Sequence, residues 1–87
     1  MVGPYAVSKG GVILLTQSVA EENKTYGVTA NAVLPSIVDT PANRLAMPGS
    51  DFKSWVAPAD LAEVMVFLGS EHARAVTGAC VPVFNLA

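Results

Sequence analysis

Two short apolar runs rich in β-branched residues set the frame for everything else in this chain. "VTANAVLP", Val28 to Pro35, and "ACVPVF", Ala79 to Phe84, have the length and composition of buried strands. A helix pattern stands before the second run: Pro58 suits its first position, Asp60 and Glu63 favour its positive end, and Leu61, Val64, Met65 and Leu68 repeat at i, i+3, i+4 and i+7. Gly69 ends it. Two strands joined through such a helix are parallel, with a right-handed crossover. Parallel strands are covered on both faces and flanked by neighbours. Pro82, inside the second run, implies an edge or a bulge.

A longer helix precedes the first strand, from Pro4 to about Tyr26, with Val7, Val12, Ile13, Leu14, Leu15 and Val19 covering a broad face. Glu21, Glu22, Asn23 and Lys24 mark its wet end, and Gly27 is a fitting stop. Gly10 and Gly11 each cost this helix about 1 kcal/mol relative to alanine, which suggests close packing against another element. Residues 36–57 hold Pro41, Pro48 and Gly49 and no sustained period, and read as a long irregular loop with one helical turn around residues 42–46. The order is helix, strand, loop, helix, strand, the back half of an α/β sheet.

With 87 residues there is room for a single small domain, residues 1–87. Hydrophobic residues make up 52% and charged residues 14%, against about 25% charged in ordinary globular domains. Such a chain has more apolar surface than a small monomer can bury, so a partner surface is expected, in a homo-oligomer or with a missing piece of the same protein. Net charge is −2 and the basic residues Lys9, Lys24, Arg44, Lys53 and Arg74 are scattered, which argues against nucleic acid. No apolar run approaches the ~20 residues that span a bilayer, and no signal pattern follows Met1, so the cytoplasm is the default location. The lone cysteine, Cys80, excludes an internal disulfide and reads as a buried thiol. His72, just past the second helix, has no catalytic assignment. No metal-ligating group stands out.

Chemistry enters at "YAVSK". On a helix, Tyr5 and Lys9 lie on one face a turn apart. A phenol with pKa near ~10 is a poor acid at neutral pH, and an adjacent ammonium favours the phenolate and brings it toward working range. The pair also fits a solvated helix start carrying one aromatic residue.

"YAVSKGG", then "GVTANAVLPSIVDTP", then "PADLAEVMVFLGSEHARAVTG" resemble, in order and spacing, the C-terminal part of a short-chain dehydrogenase/reductase. The resemblance implies a Rossmann-like doubly wound parallel sheet whose N-terminal nucleotide-binding half is absent from these residues. It implies that Tyr5 exchanges a proton with the substrate oxygen, and that Lys9 lowers the tyrosine pKa and holds the nicotinamide ribose. It also places Pro35, Val38 and Thr40 in the turn facing the nicotinamide of NAD(P)H, with Ser36 where glycine is usual. The stretch "LPSIVDTPANRLAMPGSDFKSW" is similar to the loop of dihydropteridine reductases in the same superfamily. Residues 36–57 then resemble a substrate loop in which Phe52 and Trp55 could close over a flat ring. Both could equally be core plugs beneath the loop. The ending "FNLA" departs from the family's usual Asp-Gly-Gly.

Hydride transfer needs a phosphate-cradling turn, and no Gly-x-Gly-x-x-Gly spacing occurs here. Two readings of different class follow. The chain is either the C-terminal part of an NAD(P)-dependent oxidoreductase, inactive by itself and without a bound cofactor of its own, or a noncatalytic module that self-associates. In both, an unpaired apolar strand edge is a template for another copy.

Overall fold

The computed structural model describes residues 3–87, apart from the side chain of Tyr5. Helix α1 runs Gly3–Glu22, strand β1 Ala32–Pro35, helix α2 Pro41–Ala46, helix α3 Pro58–Leu68 and strand β2 Cys80–Val83. Single 3₁₀ turns follow α1, α2 and α3 at Lys24–Tyr26, Phe52–Ser54 and Glu71–Ala73. The two strands pair in parallel, Ala32 opposite Cys80 through Pro35 opposite Val83. This is the α/β arrangement expected, with α3 on the crossover between the strands.

The first strand is shorter than its composition suggests, beginning at Ala32 where Val28 was expected. Residues 30–31 meet residues 76–79 mainly through side chains. Thr77 Oγ1 accepts from Ala30 N at 3.2 Å, while Asn31 donates Nδ2 to the Val76 carbonyl and accepts from Ala79 N, both at 3.0 Å. Gly78, at φ 74°, donates its N–H to the Ala30 carbonyl at 2.8 Å. Polar side chains thus do most of the pairing ahead of the ladder, and the regular strand starts where they stop.

Gly27 closes the turn after α1 in the left-handed conformation, φ 69°, its N–H on the Lys24 carbonyl. That chain reversal needs a residue free to adopt positive φ. Gly10 and Gly11 meet no other described element within this chain. A Cβ built on either stands in open space, so no described residue of this chain packs closely there.

The buried apolar residues are Ala20, Trp55, Val56 and Ala73 among those described. Large apolar side chains stay exposed along α1, with Val7, Leu14 and Leu15 each 65% or more accessible, and along α3 at Met65, Val66 and Phe67. The Cα radius of gyration is 15.2 Å, and the principal extents are 49 × 31 × 18 Å. A compact domain of this length would have a radius near ~12 Å. The chain is a thin slab, two parallel strands with helices laid against them. Cys80, expected to be a buried thiol, is only half-buried, because among the described residues β2 has a hydrogen-bonded neighbour on one side alone. No described helix is long and apolar enough to cross a membrane.

Candidate functional site

The segment after β1 is better organised than its proline content implies. Thr40 is extended, its hydroxyl accepts the Asn43 N–H at 3.2 Å, and Pro41 occupies the first turn, so a capped α2 of six residues forms at once. Val38 and Val56 form a parallel bridge that ties the two ends of the loop together. Both bridge hydrogen bonds are made by Val56, whose N–H reaches the Ile37 carbonyl at 2.9 Å and whose carbonyl takes the Asp39 N–H at 2.8 Å. In that pattern the N–H and carbonyl of Val38 face the other way. Asn43 Nδ2 donates to the Val38 carbonyl at 2.7 Å. The irregular loop expected over residues 36–57 is therefore a closed unit with its own helix, 3₁₀ turn and bridge.

An electrostatic chain crosses this unit. Arg44 forks onto Asp39, Nε to Oδ1 at 2.7 Å and a terminal nitrogen to Oδ2 at 2.9 Å. The guanidinium also lies 4.5 Å from the centroid of the Phe52 ring, a cation–π distance. Phe52 in turn meets Trp55 with ring centroids 4.8 Å apart and planes tilted by 53°. Hydrogen bonding to Arg44 holds the Asp39 carboxyl below the usual carboxylate range, outweighing the opposing effect of desolvation, and the same pairing raises Arg44. Trp55 is buried and Phe52 half-buried, so the tryptophan plugs the core while the phenylalanine lies nearer the surface.

A groove of about 220 Å³ lies between α1 and β1, lined by Ser8, Lys9 and Val12 from the helix and Val33, Leu34 and Pro35 from the strand. Lys9 and Pro35, 26 positions apart in the chain, thus share one wall system with an apolar floor. Val38, Thr40, Phe52 and Trp55 are not among its lining residues. Tyr5 is in α1, one helical turn before Lys9, and its side chain lies outside the described residues. Among the described residues, no group of three or more His, Cys, Asp or Glu is placed to hold a metal ion. The groove is smaller than the ~300 Å³ lower bound of drug-sized sites. These 87 residues carry no Gly-x-Gly-x-x-Gly turn.

Residues 1–83 match the family model described as "Enoyl-(Acyl carrier protein) reductase". The chain belongs to the short-chain dehydrogenase/reductase family. It is 39% identical over 87 residues to the 3-oxoacyl-(acyl-carrier-protein) reductase MabA of Mycobacterium tuberculosis, covering 91% of this chain and 35% of that one. It is 40% identical over 88 residues to the (3R)-3-hydroxyacyl-CoA dehydrogenase of Mus musculus, covering 91% of this chain and 34% of that one. Among solved structures, a short-chain dehydrogenase family protein from Francisella tularensis superposes with a TM-score of 0.77 at 26% identity, covering 91% of this chain and 40% of its own. The fold is also shared with 4-hydroxyisoleucine dehydrogenase complexed with NADH, TM-score 0.82 at 23% identity, covering 93% of this chain and 37% of that one. The chain spans about a third of the length of the curated short-chain dehydrogenase/reductase relatives above.

Several residues that shape this member of the family were not singled out from sequence. Asn43, Asp39 and Arg44 order the turn after β1, and Asn31 and Thr77 order the start of both strands. One signal was present: the run Thr-Pro-Ala-Asn puts a capping threonine three residues before a polar side chain, the spacing at which a first helical turn folds back on its cap. The Asp39–Arg44 pair, five apart across a cap, has no comparable local signature.

Proposed function

We propose that this chain supplies the proton-transfer and nicotinamide-facing part of an NAD(P)(H)-dependent oxidoreductase that interconverts a hydroxyl and a carbonyl group. The observation that carries the reading is the groove shared by Ser8 and Lys9 of α1 with Pro35 at the end of β1. Lys9 would hold the nicotinamide ribose and favour the phenolate of Tyr5, which exchanges the proton at the substrate oxygen. Pro35, the Val38 N–H that the bridge to Val56 does not use, and Thr40 would meet the nicotinamide end. Thr40 accepts a hydrogen bond as a cap, which leaves its O–H available as a donor. The nicotinamide, when bound, supplies or takes the hydride. On this reading the phosphates need a cradle that these 87 residues do not hold, and the isolated chain turns over no substrate.

For the substrate, the names of the relatives favour a 3-oxoacyl or 3-hydroxyacyl compound or another ketone, while the loop motif of residues 36–57 favours a dihydropteridine-like flat ring. Burial of Trp55 beneath Phe52 supports the first, since it leaves one aromatic residue near the surface. The exposed apolar faces of α1 and α3 support self-association as a homodimer or larger homo-oligomer. The second function reading, a noncatalytic self-associating module, rests on those same faces.

The test is a titration of the 87-residue protein with NADH and NADPH followed by nucleotide fluorescence, beside Lys9→Ala and Tyr5→Phe. Weak saturable binding through the nicotinamide end alone, in a pocket completed by self-association, is the expected result, weakened roughly tenfold or more by Lys9→Ala, equivalent to about 1.4 kcal/mol at the ribose, and little changed by Tyr5→Phe. Binding indifferent to Lys9 would overturn the assignment of the groove. No binding at all would favour the noncatalytic module.

A further inference from the structure

Among the described residues, Asn85 alone takes a positive φ without being glycine, at 52°. Asparagine tolerates the left-handed region better than most residues, yet glycine takes it more freely still. Conformation alone therefore does not explain an amide at this position, just past β2. The side chain has a second use. Its Nδ2 donates to the Trp55 carbonyl at 2.8 Å and to the Lys53 carbonyl at 3.3 Å. The next residue, Leu86, donates its N–H to the Ser54 carbonyl at 3.2 Å. Three successive carbonyls, those of Lys53, Ser54 and Trp55, are thus taken by two successive residues of the C-terminal turn. These carbonyls close a 3₁₀ turn, where a short helix leaves acceptors without partners of its own.

We infer that Asn85 is a positioning residue that clasps the aromatic segment 52–55 to the exit of β2, keeping Trp55 inside and leaving Phe52 as the aromatic the loop offers. The clasp joins two segments 30 residues apart, beside the tie that Ser36 makes between the exits of the two strands, its N–H on the Val83 carbonyl and its hydroxyl on that of Phe84. Movement of residues 52–55 then requires residues 85–86 to release them. The functional side of this inference rests on the proposed reading of residues 36–57 as the loop beside the reaction site. The clasp itself does not.

Asn85→Gly separates the two roles, since glycine keeps the backbone conformation and removes the amide. Native-state hydrogen exchange of the Trp55 and Val56 amides reads the local opening, with the Ala32 amide in the strand ladder as internal control. In Asn85→Gly the loop amides exchange roughly fivefold faster, as loss of one net hydrogen bond from a local opening equilibrium gives, while Ala32 is unchanged. Acrylamide quenching of Trp55, the single tryptophan, rises in parallel. Asn85→Asp, which keeps the left-handed preference but turns an oxygen toward the carbonyls, exchanges at least as fast. Loop rates within twofold of the original protein in Asn85→Gly overturn the inference. Equal acceleration of Ala32 overturns it as well, because Asn85 would then support the whole sheet. The nucleotide titration on the same samples is independent: a clasp detected by exchange without nucleotide binding leaves the clasp standing and removes the substrate-loop reading.

Discussion

Val56→Ala and Val66→Ala remove the same two carbons from opposite environments. Val56 is 1% exposed, between the Val38 bridge and the plug of Trp55, whereas Val66 on α3 is 71% exposed. At about 0.8 kcal/mol per buried methylene-sized group, Val56→Ala forfeits about 1.6 kcal/mol of transfer free energy. The vacated volume, if the surroundings do not collapse, adds about 1 kcal/mol, for a total of roughly 2–3 kcal/mol. Val66→Ala loses almost no burial in a monomer, and alanine's higher helix propensity makes it neutral or slightly stabilising, within about 0.5 kcal/mol. Urea unfolding followed by far-ultraviolet circular dichroism at low micromolar concentration measures both. A Val66→Ala loss above about 1 kcal/mol would mean that the α3 face is covered in solution, and the loss should then grow with protein concentration. A Val56→Ala loss under about 0.5 kcal/mol would refute the placement of the core beneath the loop.

Asp39 gives a pH signature. Its folded pKa is depressed by Arg44, so its contribution to stability is present above the ordinary carboxylate value near ~3.9 and is lost as pH falls through the lower folded value. Acid unfolding below about pH 4 should accordingly be less steep in Asp39→Asn than in the original protein, read by circular dichroism against pH. Gly78→Ala should cost about 1–2 kcal/mol from its φ of 74° alone, since the new Cβ would sit at an ordinary 3.8 Å from that of Ala20. Asn at the same position should lose less, and thermal unfolding of the two variants ranks them.

The local elements were legible where one residue type has one strong preference. Pro58 and Gly69 bound α3 as their chemistry requires, and a helical turn was visible around residues 42–46. Gly27 marked the chain reversal after α1, although a 3₁₀ turn intervenes. The beginning of β1 was not legible, because Asn31 and Thr77 only become partners once residues some 45 apart meet. The order inside residues 36–57 was hidden for the same reason, since the Val38–Val56 bridge and the Arg44 fork are not periodic features.

For the site, the spacing of Tyr5 and Lys9 on one helix face follows from helical geometry, and the family blocks place Pro35 at the end of a strand with Val38 and Thr40 after it. Sequence by itself therefore determined the elements, their order and the family. Only the tertiary structure decided that Lys9 and Pro35 border one groove, that Trp55 is a plug with Phe52 above it, and that Asn85, 30 residues on, reaches the carbonyls of Lys53 and Trp55. The physical reason is range. Propensity and capping act over a few residues and can be read locally, whereas burial and side-chain hydrogen bonds depend on which distant segments the parallel pairing brings together.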